Sequence, residues 1–142
     1  MRYKKGLVVG RFQPFHKGHL YLIKQALEKA EELIIVVGSS NKNDERNPYS
    51  FTERKKQIEE VLKKHKLLEK IKKITPQPDH PDDGVWFKNL KKKIGEFDVA
   101  FGNNEWVNGI LESAGREVIR VPLYKRHIYE GTKIRKKLIH PN

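Results

Sequence analysis

The sequence predicts an α/β fold: a single doubly wound domain around a five-stranded, mainly parallel sheet. Apolar segments of strand length alternate with segments of helical periodicity five times along the 142 residues. The inner strand segments are apolar on both faces, which is typical of parallel strands that are covered by helices on each side. We see neither an internal repeat nor a linker, so we expect residues 1–142 to form one domain.

The first three elements define the organisation of the chain. Residues 7–9 are an apolar strand that stops at Gly10, and apolar residues at helical spacing predict a helix over 17–29. Residues 33–37 are apolar throughout and end at Gly38, which predicts a second, buried strand. Strand, helix and strand form a βαβ unit, and its right-handed crossover places ligands at the carboxyl ends of the strands.

The later elements follow the same two patterns. Short apolar runs bounded by glycine or proline predict strands over 71–75, 97–101 and 117–121. Apolar stripes of helical period predict helices over 51–65, 85–94 and 107–114, with a last short helix starting near Thr132. Because strands and helices alternate throughout, the predicted fold is Rossmann-like.

The loop after the first strand carries groups that suit a phosphate. His16 and His19 lie three residues apart in the first turn of the helix, which puts both imidazoles on one side. The first N–H groups of a helix lack intrahelical partners and carry partial positive charge, and Gly18 has no side chain to keep an anion away. Arg11 adds a guanidinium directly after the strand. Either histidine alone would be an ordinary polar or capping residue, but the combination predicts phosphate binding.

Composition narrows the class of protein. There is no cysteine, which excludes disulfides and thiolate metal sites. No apolar run approaches the roughly 20 residues that a membrane span needs, and the N-terminus does not resemble a signal peptide, so we expect a cytoplasmic protein with no membrane partner. Abundant lysine and glutamate with a single methionine indicate a protein from a hot environment.

The net charge of +12 favours an acidic partner but does not choose among ATP, a phosphorylated substrate and nucleic acid. Many of the lysines lie in clusters beside helices whose other face is apolar, as solvated faces do. A nucleic-acid-binding surface would interleave basic and aromatic residues along one element, and we find no such pattern. We therefore do not expect nucleic acid as a partner.

Residues 10–19, which read GRFQPFHKGH, resemble the HxGH signature of the nucleotidyltransferase superfamily. They are similar to the version in archaeal-type nicotinamide mononucleotide (NMN) adenylyltransferases. Near the other end of the chain, residues 131–135 resemble the second signature of the superfamily, a helix start that grips the triphosphate. The resemblance extends, with gaps, over nearly the whole chain.

The resemblance implies adenylyl transfer from ATP to NMN, which gives NAD and pyrophosphate. It implies Mg²⁺ carried with ATP rather than held in a protein cage. The catalytic residues would be His16, His19 and Arg11. The ATP-binding residues would be Gly10, Phe12, Gln13, Gly18, Arg46, Gly102, Asn103, Gly131, Thr132, Ile134 and Arg135.

The acceptor side is assigned from position and resemblance together. Ser39 and Ser40 follow the second strand, where they are either an ordinary turn or hydroxyls close to the nucleotide. Asp79, Asp83 and Trp86 resemble the segment that holds the nicotinamide nucleotide, with the indole stacked on the ring. The alternative is that Trp86 belongs to the core and that the aspartates cap the following helix.

The sequence departs from the archaeal pattern at Asp83, where we expect asparagine. A carboxylate there predicts a preference for the amide NMN over nicotinate mononucleotide that narrows in Asp83→Asn. Transfer to phosphopantetheine, flavin mononucleotide or an alcohol phosphate stays open, as does a non-catalytic nucleotide sensor. After the second signature the chain carries less helix than the family does, so a loss of C-terminal packing or of oligomer contacts stays open, as does a homo-oligomer.

Overall fold

The structure is a computed structural model that describes residues 2–122. Its sheet has five strands, all parallel, in the order β3-β2-β1-β4-β5. The strands are β1 (Tyr3–Gly10), β2 (Ala30–Val37), β3 (Ile71–Pro76), β4 (Val99–Gly102) and β5 (Val118–Arg120). The helices are α1 (Lys17–Lys29), α2 (Phe51–Lys64), α3 (Asp83–Ile94) and α4 (Glu105–Ser113), with a short 3₁₀ turn at Leu68–Lys70.

The strand order puts β1 at the centre of the sheet, where it pairs with β2 on one side and with β4 on the other. The chain builds outwards from β1 through β2 to β3 and then crosses to β4 and β5. In open parallel sheets, ligands bind outside the carboxyl ends of the strands where the direction of building reverses. The end of β1 is therefore where this topology favours a ligand.

Helices cover the two faces of the sheet and bury two separate cores. On one face, α1 and α2 pack side chains such as Ile23 and Ile58 against Val8 and Ile35. On the other face, α3 and α4 pack Leu90, Ile110 and their neighbours against Leu7 and Ile34. Residues next to each other along a strand point to opposite faces, so each inner strand contributes to both cores. This explains why the strands are apolar throughout.

The structure confirms the predicted fold class and order of elements among the described residues. The sheet there is wholly parallel rather than mainly so. Strand β1 begins at Tyr3 rather than at residue 7, since backbone pairing with β2 extends through the charged Lys5. Helix α3 begins at Asp83 rather than 85 because Asp82 caps it. Strand β4 begins at Val99 rather than 97.

Two further expectations concern the ends of the chain and its environment. The short helix expected near Thr132 lies outside the described residues. Among residues 2–122, no helix is long and apolar enough to cross a membrane. Helix α4 ends at Ser113 with Ala114 as its C-cap, and Gly115 follows with the positive φ of 79° that glycine adopts without strain.

Candidate active site

A cavity of about 690 Å³ opens at the carboxyl ends of β1 and β2. The two strand ends are joined by a hydrogen bond of 2.8 Å, in which the Gly38 N–H donates to the Gly10 carbonyl. The loop over 41–50, the segment before α3 and the start of α4 form the walls. The cavity volume lies within the range of about 300–1,000 Å³ that is usual for small-molecule sites.

The cavity brings together six of the residues that the sequence singles out. They come from three separate parts of the chain: Gly10, Arg11, Ser39, Arg46, Asp79 and Trp86. His16 lines a different groove of about 620 Å³, between α1 and α2. Gly131, Thr132, Ile134 and Arg135 lie outside the described residues. The other proposed site residues do not line the cavity.

The Arg11 guanidinium is held against the 41–50 loop. Its Nε and Nη2 both donate to Asn47 Oδ1, at 3.2 and 2.7 Å, and Nη2 also donates to the Arg46 carbonyl at 2.9 Å. Asn47 is buried, and its amide in turn donates to the Asp44 carboxylate at 3.0 Å. Hydrogen bonds from Asn47 and from the Arg46 and Asn47 backbone hold the pKa of Asp44 below its usual value. The loop thus fixes a cation at the cavity wall.

The two histidines form a reciprocal cap at the start of α1. Gly18 N–H donates to His16 Nδ1 at 3.0 Å, and His16 N–H donates to His19 Nδ1 at 3.1 Å. The two rings stack with centroids 3.8 Å apart. Because the Gly18 amide already has a partner, it is not one of the open N–H groups that the sequence predicts for an anion. The imidazoles themselves occupy that end of the helix.

This cap determines the chemical state of the histidines. A ring nitrogen that accepts a hydrogen bond carries no proton, so in the neutral ring the proton lies on Nε2. Burial lowers the pKa of His16 to about 4. Burial, and then the charge that His16 would carry, hold the pKa of His19 well below its usual value. Both residues are therefore neutral near pH 7, and each has an Nε2–H donor.

Phe12 and Gln13 support the loop rather than face the cavity. The Phe12 ring is buried and packs edge-on against His19, with centroids 4.8 Å apart. A Cβ at Gly10 would lie 2.8 Å from that ring, so glycine at this position leaves room for the phenylalanine. The Gln13 amide pairs in both directions with the Tyr49 backbone, at 2.9 Å each way, which ties this loop to the 41–50 loop.

The acceptor-side residues fall into two groups. Ser39 is buried and its hydroxyl donates to the Asp79 carboxylate, 3.0 Å from each oxygen, inside the cavity wall. Ser40 is tied by its backbone N–H to the Gln77 carbonyl and does not line the cavity. Asp83 is exposed and lines a different depression, between α3 and α4. The structure therefore does not bring Asp83 together with the other acceptor-side residues.

Trp86 is both a core residue and part of the cavity wall, so the two interpretations of its role are compatible. It is only 2% exposed and packs in the same core as Leu90, one turn along α3. Its partner at the cavity is Trp106, which is 52% exposed and whose ring centroid lies 6.2 Å away. Trp106 could not be predicted from the periodicity of the sequence, since it lies off the apolar stripe of α4.

The end of β4 differs from expectation. Gly102 is buried, and a Cβ there would lie 3.0 Å from Asn108 Oδ1, while Asn103 is exposed. Neither lines the cavity; Asn104, whose side chain caps α4, does. Among residues 2–122 there is no group of three or more His, Cys, Asp or Glu side chains that could hold a metal ion.

Arg54 is the largest omission of the sequence analysis. It is fully buried, and its guanidinium reaches the ends of both β1 and β2. The available signal was its position, because Arg54 falls four residues before Ile58 and eight before Leu62, on the buried face of α2. A charged residue on an apolar stripe is a candidate for a specific role.

Known proteins resemble this chain in sequence and in fold. The model of the cytidylyltransferase-like family matches residues 7–137. A nicotinamide-nucleotide adenylyltransferase from Saccharolobus solfataricus is 39% identical over 95% of the chain and 79% of its own length. The crystal structure of a bifunctional NMN adenylyltransferase/ADP ribose pyrophosphatase from Francisella tularensis superposes with a TM-score of 0.87 at 30% identity. The match covers 99% of this chain and 43% of that one.

A second structure of a bifunctional protein of this kind from Francisella tularensis is complexed with AMP and a manganese ion, and it superposes with a TM-score of 0.78 at 30% identity. The agreement of family model, sequence relatives and fold covers the strand ends, both loops and the helices that build the cavity. The chain belongs to the cytidylyltransferase-like family, among the nicotinamide-nucleotide adenylyltransferases.

Proposed function

We propose that the protein transfers the adenylyl group of ATP to nicotinamide mononucleotide in the cavity at the ends of β1 and β2. One observation carries the proposal. Two glycines form the strand ends, two arginines flank them, and a tryptophan with a carboxylate lies across the same cavity. A site for two phosphorylated substrates needs cations for the phosphates and, for a pyridinium ring, an aromatic face beside a negative charge.

The reaction needs no general base. An oxygen of the acceptor phosphate, already ionised at neutral pH, attacks the α-phosphorus of ATP and forms the new P–O bond. The bond from that phosphorus to the bridging oxygen of the β-phosphate breaks, and pyrophosphate leaves with the electron pair. Catalysis then consists of aligning the two phosphates and stabilising charge on their oxygens.

The phosphate side is assigned to the arginines and the histidines. Arg11 is already oriented by Asn47, and Arg46 projects from the same loop into the cavity wall. The neutral histidines donate from Nε2 without having to lose or gain a proton. We propose that Arg135, in the second signature, adds a two-pronged contact to the triphosphate.

The acceptor side is assigned to Trp86, Asp79 and Ser39. The carboxylate of Asp79 is oriented by the Ser39 hydroxyl, and both residues line the cavity together with Trp86. This arrangement supports binding of a positively charged, flat ring by stacking and cation–π attraction of roughly 0.5–2 kcal/mol.

A divalent cation, which we take to be Mg²⁺, would accompany the triphosphate. In the cavity the carboxylates of Asp44 and Asp79 already accept hydrogen bonds from Asn47 and Ser39. Phosphate oxygens and water are the ligands that Mg²⁺ keeps when no protein cage is present, and the ion would neutralise charge on the leaving pyrophosphate. We place the reaction in the cytoplasm.

The test is a panel of acceptors. The protein is incubated with ATP, Mg²⁺ and, in separate reactions, nicotinamide mononucleotide, nicotinate mononucleotide, flavin mononucleotide, phosphopantetheine and glycerol phosphate. We expect pyrophosphate release and a dinucleotide product with the pyridine nucleotides alone. Product with another acceptor would replace the substrate assignment, and no product with any acceptor would indicate a nucleotide-binding protein without turnover.

A further inference from the structure

Arg54 is a buried cation beneath the cavity. Its side chain is 0% exposed. Nε donates to the Ser50 carbonyl at 3.2 Å, and Nη1 bridges the carbonyls of Arg11 and Gly38 at 2.8 and 2.7 Å. The third nitrogen, Nη2, is buried and has no hydrogen-bond partner among the described residues.

No carboxylate among residues 2–122 forms an ion pair with this guanidinium. Burial chiefly, and then the charge of Arg11, lower the pKa of Arg54, while the more distant Asp79 opposes the shift. A buried charge without a counter-ion destabilises a fold, and an apolar side chain of similar size would serve packing better. The described residues 2–122 therefore do not by themselves explain the arginine.

The explanation follows from what Arg54 contacts. Its Nη1 holds two backbone carbonyls, and the residues that carry them, Arg11 and Gly38, both line the cavity. Arg11 itself is the cation that Asn47 orients into that wall. The charge of Arg54 thus lies one layer of backbone behind the place where phosphates are expected, on the same side as Arg11.

We propose that Arg54 is a positioning residue for the phosphates of the bound nucleotide. It fixes the ends of β1 and β2, and with them Arg11. Its charge, which no carboxylate of residues 2–122 pairs with, is balanced by the polyphosphate anion when the nucleotide binds. The inference rests on the proposed function, because it requires a phosphorylated substrate in this cavity. At the separation that one layer of backbone imposes, an interior charge changes the affinity for an anion on the order of tenfold to a hundredfold.

The test compares Arg54→Met with a control in the same helix. Leu62→Ala removes a fully buried side chain two turns further along α2, in the core and away from the cavity. The probe is α,β-methylene ATP with Mg²⁺, which binds but cannot transfer its adenylyl group. Its Kd is measured by calorimetry well below the melting temperature of each variant, and KM for ATP and for the acceptor are measured with the normal substrates.

We expect Arg54→Met to weaken analogue binding and to raise KM for ATP at least tenfold, while KM for the acceptor stays within about threefold. Leu62→Ala should lower the melting temperature and leave both nucleotide constants within about twofold. Wild-type affinity in Arg54→Met, or an equal loss of affinity in Leu62→Ala, would overturn the inference while leaving the proposed function intact. If the wild-type protein does not bind the analogue, both fail.

A second pair of variants separates the effect of the Arg54 charge from the effect of its packing. This pair also provides the test if Arg54→Met does not fold. Arg54→Lys keeps the charge, whereas Arg54→Gln keeps a hydrogen-bond donor without it. We expect the glutamine variant to bind the analogue at least fivefold more weakly than the lysine variant at low salt, with the gap narrowing as salt is added. Equal affinity in the two variants would contradict a role for the charge.

Discussion

Replacing His19 tests two functions of one side chain, because its two ring nitrogens do different things. Nδ1 accepts the His16 N–H at 3.1 Å and completes the cap of α1. Nε2 is left with the proton that the proposed reaction uses to stabilise charge on the α-phosphate. His19→Ala removes both, together with the ring that packs against Phe12 and Phe15.

The two losses have different sizes. Removing one donor to a developing oxyanion costs about 3 kcal/mol, which lowers kcat about a hundredfold or more. Losing the cap costs about 1 kcal/mol, and losing the aromatic contacts costs about 1 kcal/mol more. For a domain of this size, that total lowers the melting temperature by about 4–8 °C. We therefore expect His19→Ala to fold but to turn over very slowly.

Two matched variants divide these effects. The Asn side chain in His19→Asn places its oxygen near the position of Nδ1, so it should restore most of the melting temperature and none of the rate. The Gln side chain in His19→Gln places an N–H near the position of Nε2, so it should recover part of kcat and none of the cap. His65→Ala, an exposed histidine at the end of α2, is the control.

The assay is steady-state pyrophosphate release at saturating ATP and acceptor. The temperature is kept at least 15 °C below the lowest melting temperature of the variants, which is about twice the expected shift. Melting curves are recorded on the same samples. A wild-type kcat in His19→Ala would refute a catalytic role for this loop. If kcat of His19→Gln is as low as kcat of His19→Asn, the assignment of Nε2 as the donor is refuted.

The remaining predictions concern substrate choice, the triphosphate and pH. Asp79→Asn should lower the ratio of kcat/KM for the amide acceptor to kcat/KM for the acid acceptor. Asp83→Asn, away from the cavity, should leave this ratio within about twofold of the wild-type value. The reverse result would restore Asp83 to the site. Arg135→Lys should raise KM for ATP about tenfold, and Lys92→Gln should not change it. An equal rise of KM in the two variants would favour a nucleic-acid partner. The free energy of unfolding should fall as pH drops from about 6.5 to about 4, because His16 takes up a proton in the unfolded chain that it does not take up in the folded one. Denaturant titrations measure this fall, and an equal fall in the free energy of unfolding of His16→Gln would contradict the role of His16.

The order of elements could be predicted from the sequence because each inner strand is apolar on both faces and each helix has one stripe. The boundaries of the elements were harder to predict where backbone pairing or capping, rather than the side-chain pattern, sets the first residue. Strand β1 continues through Lys4 and Lys5 since its partner β2 is already in register there. Helix α3 begins two residues before its predicted start because the Asp82 carboxylate accepts the Val85 N–H at 3.0 Å, a cap that periodicity cannot show.

The site was predictable where the chemistry is local and unpredictable where it depends on contacts between distant residues. The end of β1, with Gly10 and Arg11, follows from one stretch of sequence. The histidine cap does not, since spacing places both rings on one side but gives no partner for each nitrogen. Nor does Arg54, since two of its three carbonyl partners lie 16 and 43 residues away in the chain. Asp83 is the opposite case, because the resemblance assigned it to the acceptor site whereas in the structure it lines a different depression, between α3 and α4.

The most direct test of adenylyl transfer follows the phosphorus atoms of ATP. The protein is incubated with nicotinamide mononucleotide, Mg²⁺ and ATP labelled with ³²P at either the α or the γ position, and the products are separated by chromatography. Attack at the α-phosphorus predicts that the α label appears in NAD and the γ label in pyrophosphate, in equal amounts and at equal rates. Label from the γ position in the pyridine nucleotide, or α label released as AMP without NAD, would contradict the proposed reaction.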